Sequence, residues 1–316
     1  MKISDMADWG EGVRPNFMIV GAAKCGTSSL WAYLSEHPEV FFPECKEPNY
    51  FALAGASLPE PGPRSPEAMQ ELLYSDTITD FGEYAALFQG ANGAKAVGEA
   101  SVRYLYSGVA AERIQAALPD IRLIVMLRDP VQRLYSHYWM NRRYGLEPLS
   151  LMDAVEAEDR RKKAGWGYDW HYVSVGRYAE QLSRYLERFP REQIGVFLFE
   201  DFAKESVGIV QEVCRFLGVD GSFIPDVSSR KNAAVRPRNL ALEAWLNPPG
   251  KEGAKRKAQR FAFLPGKLKR RMFAGIDYLN QAPVPKLKED DRRHLREYFA
   301  DDIAETARLL GKEMPW

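Results

Sequence analysis

The stretch Asn16–Leu30, NFMIVGAAKCGTSSL, decides the fold. Phe17-Met18-Ile19-Val20 is a short, continuous apolar run, the pattern of a parallel strand buried on both faces. A turn bounded by Gly21 and Gly26 follows, then Thr27, Ser28 and Ser29, then Leu30, Trp31 and Leu34 at helical spacing. A strand, a glycine-bounded loop and a hydroxyl-rich helix start together form an anion cradle. Glycine lets the backbone come close, several N–H groups point inward, and the helix dipole favours negative charge. The competing reading is an ordinary strand-to-helix turn with a solvated lysine, because short glycine-rich matches are common.

The position of the lysine selects the ligand. A nucleoside-triphosphate loop reads G-x-x-x-x-G-K-[ST], and its lysine reaches the β- and γ-phosphates with a hydroxyl-bound Mg²⁺ alongside. Gly21 and Gly26 keep that spacing, but Thr27 follows Gly26 and the lysine stands inside the loop, at Lys24. Lys24 is therefore expected near a single phosphate at the loop mouth. This arrangement resembles the 5′-phosphosulfate loop of sulfotransferases that use 3′-phosphoadenosine 5′-phosphosulfate (PAPS).

Working outward, Val40-Phe41-Phe42 reads as a second short strand after Pro38, and Lys46-Glu47-Pro48 falls just past its end, where parallel α/β sheets place ligands. Residues 52–66, ALAGASLPEPGPRSP, read as a long mobile loop of the kind that forms lids, or else as a linker. Asp80–Phe88 reads as a short helix, Ala96–Ser101 as a strand, and Ser107 as the cap of a helix reaching Leu118. Ile121–Leu127, IRLIVML, is the clearest central strand, and Pro130 opens a helix beyond Arg128-Asp129. Residues 145–175 read as loop-rich, Gly176–Phe189 as an amphipathic helix, Ile194–Phe199 as a buried strand, Val207–Leu217 as a helix and 287–310 as one C-terminal helix. Alternating elements predict a mostly parallel sheet with helices on both faces. One domain over 1–316 is expected, with 1–15 as a loose lead-in.

Composition narrows the class. Hydrophobic residues are 46% and charged residues 27% of 316, which is globular, and 43 basic against 43 acidic residues give no global case for nucleic acid. Cys25, Cys45 and Cys214 show no zinc spacing and no C-x-x-C pair, which suits a reducing compartment. No apolar signal core opens MKISDMADWGEG and no run approaches a membrane span of ~20 residues, so a cytoplasmic chain is expected. The sequence is silent on oligomeric state.

Three stretches then match one pattern in order: GAAKCGTSSL, KEPNYF and RDPVQRLYSHY. KEPNYF resembles the Lys-Glu segment of bacterial and glycan sulfotransferases, including the heparan sulfate enzymes. RDPVQRLYSHY is similar to the family's 3′-phosphate element, an Arg followed eight positions on by a Ser. GEASVRYLY, VGRYAEQLSRYLERFPREQIGVFLFEDF and LLGKEMPW also look like family stretches, so the resemblance covers almost the whole chain. It implies a P-loop-kinase-like three-layer α/β fold, PAPS as co-substrate, adenosine 3′,5′-bisphosphate as product, and no metal. Carried over by residue, it implies that Lys24, Cys25, Gly26, Thr27, Ser28 and Ser29 hold the 5′-phosphosulfate, and that Arg128 and Ser136 hold the 3′-phosphate. A late basic loop, here Arg230, Lys231 and Asn232 with Arg236, is implied to close over the nucleotide. The phenol and steroid branch has Arg-Lys-Gly there, whereas this chain has Arg230-Lys231-Asn232. That branch's catalytic histidine has no clear counterpart, so Glu47 is the candidate base and Lys24 its catalytic partner, with His37 and His137 read as structural. Without the resemblance, Arg128 and Ser136 read as a cap and a plain helix residue.

The implied acceptor is a hydroxyl or amine of a small molecule, lipid or glycan. The alternatives are a P-loop nucleotide kinase, for which nothing supplies the lysine after Gly26, and a non-catalytic anion-binding module on the same fold. Residues 230–271 hold 13 Lys or Arg against Glu243 and Glu252. The stretch 251–273 is either a solvated helix pair or a face for a membrane or an anionic acceptor.

Overall fold

The computed structural model describes residues 9–10, 12–228, 235–246, 259 and 266–316. Five parallel strands form the central sheet: β1 (Phe17–Gly21), β2 (Val40–Phe41), β3 (Ala96–Ala100), β4 (Arg122–Leu127) and β5 (Ile194–Leu198), in the order β2-β3-β1-β4-β5. β1 and β3 are buried throughout and β4 from Leu123 onward. That is why their sequences are continuously apolar rather than alternating. β1 pairs with both β3 and β4, Phe17 lying opposite Gly98 on one side and Arg122 on the other. Gly98 is required by this approach, since a Cβ there would lie 2.5 Å from the Phe17 ring.

The strand order reverses direction at β1, between β1 and β4. In open α/β sheets ligands gather at that switch point, outside the carboxyl ends of the strands. The segments leaving β1 and β4 meet there: the Ala22 amide donates to the Met126 carbonyl at 2.8 Å.

Helices flank the sheet in two groups. α1 (Thr27–Leu34), α11 (Phe199–Lys204) and α12 (Ser206–Leu217) form one. α2 (Tyr50–Leu53), α5 (Arg103–Tyr106), α6 (Ala110–Ala117) and α10 (Tyr178–Leu186) form the other, with the terminal helix Ala300–Leu310 against α10. α3 (Pro66–Leu73) and α4 (Phe81–Ala86) follow α2. α7 (Pro130–Arg143) leaves the end of β4, capped by Asp129, whose carboxylate accepts from the Val131 amide at 2.9 Å. This is the three-layer α/β architecture expected from the sequence.

Several local expectations change. β5 is an edge strand with Gly195, Val196 and Phe197 only half-buried, and it packs against α11 and α12. Residues 145–175 contain α8 (Leu151–Glu156) and α9 (Glu158–Lys163). A buried ion pair pins them: both Arg161 guanidinium nitrogens reach Glu147, at 2.6 and 2.9 Å. The helix expected over 287–310 is two helices, Glu289–Glu297 and Ala300–Leu310, broken where buried Phe299 packs toward the core. Ser107 does not cap the following helix: it ends α5, and α6 starts at Ala110. The loop 52–66 is tied down rather than loose. Glu60 accepts from Arg103 and from the Tyr74 hydroxyl, both at 2.7 Å, and anchors its centre.

Candidate active site

The loop after β1 turns through two left-handed positions, Lys24 (φ 70°) and Gly26 (φ 87°). At Gly26 the sequence leaves no choice, because a Cβ would lie 2.8 Å from the Phe199 ring. Gly26 is also the N-cap of α1, and no side chain caps that helix among the described residues. The first N–H groups of α1 are thus left to an outside acceptor, which the helix dipole makes a preferred place for an anion.

Lys24 is half-buried, and its ammonium donates to the Met140 sulfur at 3.4 Å. Burial pulls its pKa down to about 8; the Glu47 carboxylate works against this, while Arg128, Arg133 and Lys46 add to the fall. Two further cations therefore stand on the same loop's doorstep. The Arg128 guanidinium donates to the Lys24 carbonyl at 3.3 Å and lies over the Phe199 ring, 4.4 Å from its centre. Lys46 donates to the Ser28 hydroxyl at 2.6 Å and to the Glu47 carboxylate at 3.5 Å. A cluster of cations with one carboxylate, at the carboxyl ends of β1, β3 and β4, is incompletely neutralised and attracts an anion.

Glu47 belongs to a second strained turn. Glu47 (φ 59°) and Asn49 (φ 54°) are both left-handed without being glycine. The turn is held by the end of β3, the Glu47 amide donating to the Ala100 carbonyl at 3.1 Å and the Asn49 amide to the Ser101 hydroxyl at 3.0 Å. The Glu47 side chain is about one-third exposed and so within reach of an incoming molecule. A groove of about 300 Å³ opens beside it, lined by Lys46, Glu47, Asn49 and the turn Ser75-Asp76-Thr77.

Not every residue read from the sequence lies in this cluster in the same way. The Cys25 thiol is fully buried against the Tyr178 hydroxyl at 3.6 Å, and burial pushes it up to about 11, so only the backbone of Cys25 serves the loop. The Thr27 side chain is buried too. Ser28 is engaged by Lys46, and Ser29 is half-buried in the first turn of α1. Ser136 sits half-buried about two turns into α7. Arg236 lies on β6 (Val235–Pro237), which pairs with β7 (Gln281–Pro283) and runs beside α7, and its Nε has no hydrogen-bond partner among the described residues. Arg230, Lys231, Asn232 and the stretch 251–258 lie outside the described residues.

The histidines are occupied elsewhere. His37 Nε2 meets the Asp220 carbonyl at 3.0 Å and its Nδ1 accepts from the Glu39 amide. His137 is fully buried, and Arg133 lies 3.2 Å from its Nδ1. Arginine can only donate, so Nδ1 is the acceptor and Nε2 carries the proton. Burial and the Arg133 charge hold His137 well below the ordinary histidine range, neutral but with no free lone pair to act as a base. Among the described residues no group of three His, Cys, Asp or Glu is placed to hold a metal.

Five contributors carry little or no signal in the sequence. Lys46 was in view as a neighbour of Glu47, but its bond to Ser28 crosses between two loops. Ser101 and Glu99 lay in GEASVRYLY without a role. Met140 and Phe199 carry no chemical signal in sequence, and only packing brings them to Lys24 and Arg128.

The sulfotransferase domain family matches residues 14–231. A sulfotransferase from Alicyclobacillus acidocaldarius, known from its crystal structure, is 35% identical, with a TM-score of 0.73 over 96% of this chain and 98% of that one. Membrane-associated sulfotransferase kil1 of Dictyostelium discoideum is 22% identical, covering 73% of this chain and 62% of its own length. Carbohydrate sulfotransferase 15 of Mus musculus is 27% identical over 65% of this chain and 44% of its own. Bifunctional heparan sulfate N-deacetylase/N-sulfotransferase 3 of Homo sapiens is 23% identical over 94% of this chain and 30% of its own. The chain thus spans between 30% and 62% of the length of these curated relatives. The match over 14–231 takes in Lys24, Glu47, Arg128 and Ser136, and with it the chain belongs to the sulfotransferase domain family.

Proposed function

We propose that this chain is a PAPS-dependent sulfotransferase that moves the sulfuryl group to a hydroxyl or amine of a small-molecule, lipid or glycan acceptor and releases adenosine 3′,5′-bisphosphate. One observation carries the reading. A lysine inside the glycine-bounded loop, Lys24, faces a carboxylate, Glu47, across a site that has no lysine after Gly26.

The donor fits this frame. An uncapped helix start and the Lys24 ammonium suit its 5′-phosphosulfate, and Arg128 with Ser136 suits its 3′-phosphate. PAPS supplies an activated sulfur–oxygen bond, and the chain's residues do the rest. Glu47 takes the proton from the acceptor hydroxyl or amine as that atom attacks sulfur. Lys24 and the α1 N–H groups hold the negative charge growing on the leaving phosphate oxygen. Lys46 ties Ser28 to Glu47, so the donor side and the base side stay in register. A kinase reading lacks the lysine that would reach β- and γ-phosphates. A purely binding module leaves a carboxylate among the anion-binding cations without use.

The finer assignments belong to the same proposal: one domain, a cytoplasmic location, closure over the nucleotide by Arg230, Lys231, Asn232 and Arg236, and contact with a membrane or an anionic surface through 251–273. Leu268, exposed on the helix Gly266–Asn280 within a basic stretch of sequence, supports the last of these. Among the described residues no helix is long and apolar enough to cross a membrane.

The deciding experiment is an acceptor screen with ³⁵S-labelled PAPS, run beside calorimetry with adenosine 3′,5′-bisphosphate and with Mg-ATP. Label transfer and metal-independent bisphosphate binding are expected. Tight, Mg²⁺-dependent ATP binding with no label transfer would overturn the assignment.

A further inference from the structure

Glu99 is a carboxylate 1% exposed, on β3, an inner strand of the sheet, with no cation at ion-pair distance among the described residues. A buried carboxylate is costly unless its oxygens are well satisfied. Here one oxygen accepts from the Ser101 hydroxyl at 2.7 Å and the other from the Tyr84 hydroxyl at 3.2 Å. Ser101 is the first residue past the end of β3, two positions on from Glu99, and its side chain turns back to the carboxylate. Its hydroxyl has one proton, and that proton is given to Glu99. The oxygen lone pair is then free to accept the Asn49 amide at 3.0 Å.

That contact reaches the catalytic turn. Asn49 and Glu47 are the two left-handed residues of the 45–49 segment, and the Asn49 side chain donates to the Glu47 carbonyl at 2.8 Å. The Glu47 amide donates to Ala100, the residue between Glu99 and Ser101. The end of β3 therefore grips the turn twice, once through its backbone and once through a hydroxyl oriented by a buried carboxylate. Two unfavoured backbone conformations one residue apart, on either side of Pro48, persist only where the surroundings hold them. Glu99 touches neither the Lys24 loop nor the groove, so the known chemistry gives it no direct task.

We propose that Glu99 and Ser101 are positioning residues for Glu47: the ionised Glu99 carboxylate orients the Ser101 hydroxyl, Ser101 holds the Asn49 amide, and the turn aims Glu47 at the acceptor. The proposal rests on the reading of Glu47 as the base. It implies that the grip weakens when Glu99 takes a proton, because one carboxyl oxygen then becomes a donor and the Ser101 and Tyr84 hydroxyls compete for the other. Burial pushes Glu99 up to about 7, with the Glu47 charge adding to the rise and the Tyr104, Ser101 and Tyr84 hydroxyls opposing it. The phenols facing the carboxyl, Tyr84, Tyr104 and Tyr185, are held above the ordinary tyrosine range and remain neutral donors.

The test is a mutant cycle with the full chain: E47Q, E99Q, S101A, S101T and the double variant E47Q/E99Q. It reads kcat with saturating PAPS and the acceptor that the wild type selects from p-nitrophenol, glucosamine and N-acetylglucosamine. It also reads the Kd of adenosine 3′,5′-bisphosphate and hydrogen exchange of the peptide 45–51. E99Q and S101A are each expected to lower kcat about tenfold with the Kd within about twofold, S101T to restore most of it, and E99Q to add less than about twofold in the E47Q background. The fall of kcat below pH about 7 should vanish in E99Q. Exchange over 45–51 should quicken in S101A while 17–34 stays protected, a readout independent of any acceptor and of whether E99Q folds. An E99Q loss of equal size with and without Glu47, or unchanged exchange in S101A, overturns the positioning role alone. Wild-type kcat in E47Q removes the base assignment and this proposal with it.

Discussion

The two loops that face each other across the site are built on opposite plans. The turn 22–26 is a local object. Its glycine is forced by the Phe199 ring, its helix start has no side-chain cap among the described residues, and the groups it offers an anion are mostly its own backbone. The turn 45–49 has no glycine, bends through Glu47 and Asn49 in left-handed conformations, and is held by Ala100 and Ser101 from a strand some fifty residues away in sequence. A ligand cradle made of backbone can be written in a short motif. A carboxylate that must point in one direction needs a scaffold, and the scaffold comes from elsewhere in the chain.

Mutations can break this contrast or sharpen it. The largest effect is expected on the scaffolded side. Glu47→Gln keeps size and hydrogen bonding but removes basicity, and kcat should fall by about 10²–10⁴ with bisphosphate affinity nearly unchanged. A parallel loss of affinity, measured calorimetrically, would show that the two loops act as one unit rather than as donor and base sides.

Next comes the local side. Lys24→Ala removes the cation that the proposal assigns to the leaving group, and kcat/KM for PAPS should drop by about 10²–10³ together with bisphosphate affinity. Retained affinity would place the ammonium away from the phosphosulfate. Arg128→Ala is expected to cost about 1.5–3 kcal/mol in PAPS binding. The same change should matter little for adenosine 5′-phosphosulfate, which lacks the 3′-phosphate. Equal losses with the two donors would make Arg128 a structural brace for the Lys24 carbonyl.

The smallest effect links the loops through charge. In the free enzyme the Lys24 pKa is lowered from 10.5 to about 8. On the proposed reading the protonated form binds the anion, so kcat/KM for PAPS should fall as pH rises through that value, approaching about tenfold per unit. The Glu47 charge supports the Lys24 cation, so the fall should begin at lower pH in Glu47→Gln. A pH profile with no inflection between 7 and 9 in either protein would mean that Lys24 keeps its ordinary value.

The legibility of the site follows the same division. Gly21, Lys24, Gly26 and the hydroxyls after them were readable because a strand, a tight turn and a helix start are specified by neighbours in sequence. Arg128 was readable from its place at the end of an unmistakable strand, though its stacking on Phe199 was not. The role of Lys46 as a bridge to Ser28, and the grip of Ser101 on Asn49, were invisible, because each joins segments whose separation in the chain says nothing about their distance in space. The C-terminal region shows the same limit on the scale of the fold. Leu295, Phe299 and Ile303 share a stripe on one long helix in sequence, yet the chain breaks at Phe299 to bury its ring.

By itself the sequence determined the class of fold, most clearly through the continuous apolar runs of β1 and β4, which are buried on both faces. It also carried the proposal of an anion loop, through a lysine displaced from the triphosphate position. Tertiary structure alone decided which groups meet. The switch of strand order at β1 brings the ends of β1, β3 and β4 together, and there it sets Lys24, Arg128, Lys46 and Glu47 around one point. Pattern within a chain fixes local conformation because backbone sterics and burial act between near neighbours. Catalytic geometry depends on contacts between distant segments, and only the packing of the sheet chooses those.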